Sequence, residues 1–175
     1  MRDQSKVRDF NKGTLLYEQY LRLEAQGRII EADRALRSSI ALNEPMAMHA
    51  LAYKLYNGGE GSIADALELY RRASVLGLEA SAWNLARHYD VMQQSEDYFY
   101  WLKRSSELGE VNAEAELLDP FPFTVSAATE LAERGLAKEA LKLYKFASEH
   151  GSGTARAALA RLGLGAANSA TKPSI

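Results

Sequence analysis

The side chains able to do chemistry in this chain are few and poorly spaced for it. His49, His88 and His150 are its three imidazoles. A metal-binding or acid–base pair on one helix needs a second ligand four residues on, so that both side chains share a face. None of the three has one, and His88 and Asp90, two residues apart, point to different faces. The chain has no cysteine, which excludes disulfides, thiolate metal sites and cysteine nucleophiles. The stretch Asn57-Gly58-Gly59-Glu60-Gly61-Ser62 precedes a helix in the manner of a phosphate cradle. It lacks the lysine of a Walker loop and follows a helix rather than a strand, so an inter-helix turn is the better reading. Acidic residues are plentiful, but nothing pairs two of them in a pocket. The expectation is a non-catalytic protein with no cofactor and no metal.

Bulk composition points the same way. Of 175 residues, 47% are apolar and 25% charged, enough for one ordinary domain with a real core. Twenty-one Lys and Arg against 23 Asp and Glu leave a net charge of −2, with no broad basic field to attract nucleic acid or an anionic membrane. No apolar run is long enough to span a bilayer. The opening residues, Met1 to Asp9, lack the apolar stretch of a secretory leader, so a cytoplasmic location is expected. What remains is recognition, and recognition needs elements to carry it.

Those elements repeat. Asn43, Gly77, Gly109 and Gly151 are spaced 34, 32 and 42 residues apart, and fixed offsets from them hold residues that agree in size class, apart from Ala35 and Tyr98. Eleven before are Ala32, Ala66, Tyr98 and Ala140; eight before, Ala35, Leu69, Trp101 and Leu143. Seven before are Leu36, Tyr70, Leu102 and Tyr144; four before, Ser39, Ala73, Ser105 and Ala147. Four after are Ala47, Ser81, Ala113 and Ala155; eight after, Leu51, Leu85, Leu117 and Leu159. The earlier offsets lie on one face of a helix and the later ones on one face of a second helix. Gly or Asn at the marker suits the left-handed turn that ends a helix. Small residues at three offsets let backbones approach, and large ones fill the gaps. The fold class expected is all-α: a right-handed α-solenoid of about four antiparallel helix pairs.

The runs Leu69-Tyr70-Arg71-Arg72-Ala73-Ser74-Val75-Leu76-Gly77 and Trp101-Leu102-Lys103-Arg104-Ser105-Ser106-Glu107-Leu108-Gly109 resemble the "W-Y-x-K-A-A-x-x-G" run of the Sel-one-like repeat, a relative of the tetratricopeptide repeat. Ser81-Ala82-Trp83-Asn84-Leu85-Ala86 is similar to its "A-x-x-x-L-G" opening, and Asn57 to Gly61 to its Gly-containing loop. The resemblance is clearest over residues 46–118; the flanks, 12–45 and 124–163, are nearer to generic tetratricopeptide form. Ala52 and Ala86 stand where the family prefers Gly, and Val91 to Glu96 replace the second Gly-rich loop. The resemblance implies a bacterial or signalling-associated adaptor.

Helices are expected at 12–26, 29–42, 46–57, 62–76, 79–92, 95–108, 111–118, 124–134, 137–149 and 152–162, with Ser62 and Ser95 as N-caps. The repeat domain spans 11–164, between polar tails at 1–10 and 165–175. Asp119-Pro120-Phe121-Pro122-Phe123 explains the long interval, since proline must stop the helix that begins at Val111. Phe121 and Phe123 either join the core, the preferred reading, or form an exposed docking knob.

The candidate binding face follows from the helical wheel. With Leu51 facing the core at zero, His49, Tyr53 and Tyr56 fall at about 140–200°, on the opposite side. With Leu85 at zero, Trp83, Arg87 and Asp90 occupy the same angles. In related repeats this is the concave, ligand-facing side. A merely solvated face should carry Lys, Glu and Gln, whereas this one carries the Tyr, Trp and Arg enriched in binding hot spots. The alternative is that a neighbouring helix covers the aromatics. A basic residue six before each marker (Arg37, Arg71, Lys103, Lys145) suggests a charge ladder for an acidic partner, but its place near helix C-termini is explained by the helix dipole. The function expected is therefore a protein–protein interaction module, an adaptor, scaffold or regulatory subunit binding a protein or peptide. The narrower alternative is a stand-alone inhibitor or immunity protein that blocks a toxin. A nucleic-acid binder or an enzyme has no supporting motif. The apolar last helix around Ala155, Ala157, Ala158 and Leu159 also allows a homodimer through a terminal repeat.

Overall fold

The computed structural model describes residues 4–58 and 62–162, with side chains from residue 11 onward. The expected C-terminal tail, 165–175, and Gly59, Glu60 and Gly61 of the Gly-rich loop lie outside the described residues. The described residues form ten helices: α1 (Gln4–Ala25), α2 (Ile29–Ala41), α3 (Pro45–Gly58), α4 (Ile63–Val75), α5 (Glu79–Val91), α6 (Ser95–Glu107), α7 (Val111–Leu118), α8 (Pro122–Glu133), α9 (Ala137–Glu149) and α10 (Gly153–Arg161). The fold is all-α, and successive helices pack in chain order, α1 on α2, α3 on α4, α6 on α7, α8 on α9 and α9 on α10. Helix α1 begins at Gln4, inside the stretch expected as a tail. The chain divides into two compact units, Met1–Asn84 and Leu85–Ile175, with the boundary inside α5.

The turns explain the repeat. All four markers are left-handed, with φ of 60° at Asn43, 97° at Gly77, 103° at Gly109 and 107° at Gly151. Each closes its helix with the same two bonds. The residue after the marker donates its N–H to the carbonyl four before it: Glu44 to Ser39, Leu78 to Ala73, Glu110 to Ser105 and Ser152 to Ala147. The marker itself donates to Ile40, Ser74, Ser106 and Ser148 respectively. This is the Schellman closure, which satisfies carbonyls left over at a helix end. A second set of left-handed residues, Gly27, Gln93 and Gly135, stands sixteen residues before three of the markers and closes α1, α5 and α8 in the same way. Sequence reading missed this column because Gln93 hides it.

The repeat columns are largely core. The positions eleven, seven and four before the marker, and four after it, are buried in every copy. In unit 1, Tyr20, Leu23, Ala32, Ala35, Leu36 and Ala47 form one cluster, with Tyr17, Ile40 and Leu51 against it. The column eight after the marker fails once. Leu117, next to the end of α7, is exposed. The N-cap expectations need correction. Ser62 has the extended backbone of a cap but makes no side-chain cap bond among the described residues, and Ser95 lies inside α6, whose cap residue is Gln94. The side-chain caps found are Glu110, which accepts from the Asn112 N–H, and Ser152, which accepts from Ala155.

The proline-containing connection acts as expected. Proline at the start of α8 gives up an N–H that has no intrahelical partner anyway. Phe121 is fully buried, packed against Tyr98, Phe99, Phe146 and His150, so the core reading holds for it. Phe123 is half-buried.

Candidate partner-binding surface

In unit 1, α3 and the start of α5 position the aromatic residues. Ala47, Met48 and Ala52 are the buried residues of α3, which leaves its opposite side to His49, Tyr53 and Tyr56. Tyr53 is 57% exposed, as Tyr100 on α6 is at 63%. The Tyr53 carbonyl accepts from Asn57 Nδ2 at 2.9 Å, which steadies the end of the helix. Tyr56 and Trp83 are half-buried. His49 is half-buried too, and is engaged inward. Its Nδ1 lies 2.9 Å from the Ser81 hydroxyl and its ring meets the edge of Tyr70 at 5.3 Å. Burial pushes its pKa down, with Glu79 opposing, so it is an apolar strut between α3, α4 and α5 more than an exposed base.

Beside Tyr53, Lys54 anchors α3 to α1. Its ammonium pairs with Glu24 and lies 4.9 Å from the centre of the Tyr20 ring. Tyr20 donates to the same carboxylate at 2.7 Å. The Lys54 bond holds the Glu24 carboxyl below its usual range, against the effect of burial. So the neighbour of the exposed tyrosine is tied to α1.

In unit 2, Arg87 is exposed, with its guanidinium 4.4 Å from the centre of the Phe123 ring. That stacking accounts for Phe123, which neither joins the core fully nor projects as a knob. Asp90 departs from expectation. It is fully buried and cannot face a partner. Its carboxylate accepts from the Phe123 N–H at 2.8 Å, the Thr124 N–H at 3.0 Å and the Thr124 hydroxyl at 2.6 Å. It therefore satisfies N–H groups at the start of α8 that have no intrahelical partner, where a negative charge is favoured. Burial pushes its pKa up, and these three bonds oppose that.

Asp119 does the same for α10. It accepts from the Ser152 hydroxyl and the Gly153 N–H, both at 2.8 Å, and from Thr154. Sequence reading did not find either role. The signal was present as a spacing: each carboxylate stands about one repeat length, 33 to 35 residues, before the helix start it serves. Of the basic residues six before the markers, Arg37 pairs with Asp33 at 2.7 Å and Arg71 lies 3.8 Å from Glu68, while Lys103 and Lys145 are exposed. Among the described residues no three His, Asp or Glu side chains are grouped to hold a metal ion, and no helix is long and apolar enough to cross a membrane. No protein-family model matches the chain, and no curated protein matches it.

Proposed function

We propose that this helical repeat protein is an interaction module of the Sel-one-like kind, binding a partner protein or peptide through aromatic residues its helices leave uncovered. The observation that carries the reading is Tyr53, a large aromatic side chain held in the open on an ordered helix. Tyr56 and Trp83, also in unit 1, support it, each of a type that dominates binding energies when a partner excludes water around it. His49 takes a supporting part behind them, and Asp90 takes none. The reading is non-catalytic, and it is supported by the bonds that commit His49 to Ser81 and Asp90 to the start of α8.

Affinity capture from the native host tests it, using the wild type beside Tyr53→Ala. The variant should keep its helical content and lose most of the captured partner, with binding weakened by about 2 kcal/mol. Equal recovery by both proteins counts against the reading.

A further inference from the structure

The connection at 119–123 holds a strained residue beside a buried acid. Phe121 has φ 66° and ψ 46°, a left-handed conformation that a bulky side chain adopts only where its surroundings impose it. The imposing contacts are specific. The Phe121 N–H donates to the Tyr98 hydroxyl at 3.1 Å, and the Tyr98 and Phe121 rings pack with centres 4.3 Å apart. The Tyr98 hydroxyl in turn donates to Glu116 Oε1 at 3.0 Å. Both Tyr98 and Glu116 are buried.

Glu116 has little to sustain a charge. From α6 it meets the Tyr98 hydroxyl; from α5 it meets the field of Asp90, which repels a second negative charge, and of Arg87, which attracts it. His150, at the end of α9, lies against the Phe121 ring at 5.6 Å. On α7 itself Glu114 is exposed, and Asp119 is committed to α10. Asp90 receives three hydrogen bonds where Glu116 receives one, so Asp90 is the better placed of the two to hold its charge. Burial, reinforced by Asp90, pushes Glu116 up to about 7, with the Tyr98 bond and Arg87 opposing.

We infer that Glu116, Tyr98 and Phe121 form a proton-controlled latch, closed on α6 while the Glu116 carboxyl is neutral and released when it ionises. A charged Glu116 gains hydration by moving outward with the end of α7. That movement breaks its bond to Tyr98, removes the anchor of the hydroxyl that accepts from the Phe121 N–H, and so lets Phe121 leave its strained conformation. The acid is weaker in the closed state than in the open one. The closed state is therefore fully favoured below the ordinary carboxyl range and loses ground as pH rises through about 7. With one proton involved, the closed-to-open ratio falls about tenfold per pH unit between the ordinary carboxyl range and about 7, and levels off above that point, where both states are ionised.

Amide hydrogen exchange of the full chain, followed by NMR from about pH 5 to about pH 8.5 and corrected for intrinsic rates, reads this directly. Protection at the Phe121 N–H should fall about tenfold per unit up to about pH 7 and level off above it, while the Gly77 N–H, bonded to the Ser74 carbonyl in unit 1, holds steady. Glu116→Gln should abolish the slope. Constant protection in the wild type, or the same slope in Glu116→Gln, overturns the latch. If the variant does not fold, the carbon-13 shift of the wild-type Glu116 carboxyl decides. A midpoint near 7 supports the latch and one in the ordinary carboxyl range overturns it.

Discussion

Leu85 is fully buried, whereas Trp83, two residues before it on α5, is half-buried. Leu85→Ala should therefore cost about 2–5 kcal/mol of stability, measured by urea unfolding, because a cavity is left in a packed interior. Ser74 makes the opposite case. Its buried hydroxyl has no hydrogen-bond partner among the described residues, and an unpaired buried hydroxyl is destabilising. Ser74→Ala should raise stability by about 1 kcal/mol in the same assay. Asp119 gives a pH test. Burial would raise its pKa, but bonds from Thr154, Ser152 and Gly153 outweigh that and hold it below the usual value of 3.8. Its contribution is thus present above that value and is lost as pH falls through the lower, folded one. Asp119→Ala should cost about 1 kcal/mol at neutral pH, and the gap from wild type should close on acidification. A gap that stays constant into strong acid would mean that the charge does not matter.

Helix boundaries were legible in the sequence because the residues that end helices here are Gly, Asn and Pro, which act locally. Most expected ends agree with the structure to within one or two residues. Two things were not legible. Gln93 adopts φ 56°, a conformation its side chain does not advertise, so a turn built like those at Gly27 and Gly135 passed unseen. Asp90 shares a helical face with Arg87, and a helical wheel cannot tell an exposed face from one that a distant helix start will cover. The turn account is testable. Gln93→Gly removes the steric cost of the left-handed conformation, about 1 kcal/mol, and gives part of it back as chain entropy. Thermal unfolding should show a net gain of a few tenths to about 1 kcal/mol. A loss would mean that the Gln93 side chain has a role beyond occupying the turn.

For the molecule as a whole, two kinds of interaction separate cleanly. Burial of the repeat columns and the recurrent turn closures account for the helices and their pairing. Asp90 and Asp119 tie together elements of unit 2 that are far apart in sequence, while Lys54 and Glu24 do so in unit 1. None of these requires Tyr53 or Trp83 to be aromatic, and that surplus is what the interaction reading explains. The most direct test measures both properties of Trp83→Ala: its urea unfolding midpoint, and its affinity for the partner captured by the wild type. A nearly unchanged midpoint with binding weakened by about 2 kcal/mol or more is the predicted result. Loss of the fold, or unchanged binding, would contradict it.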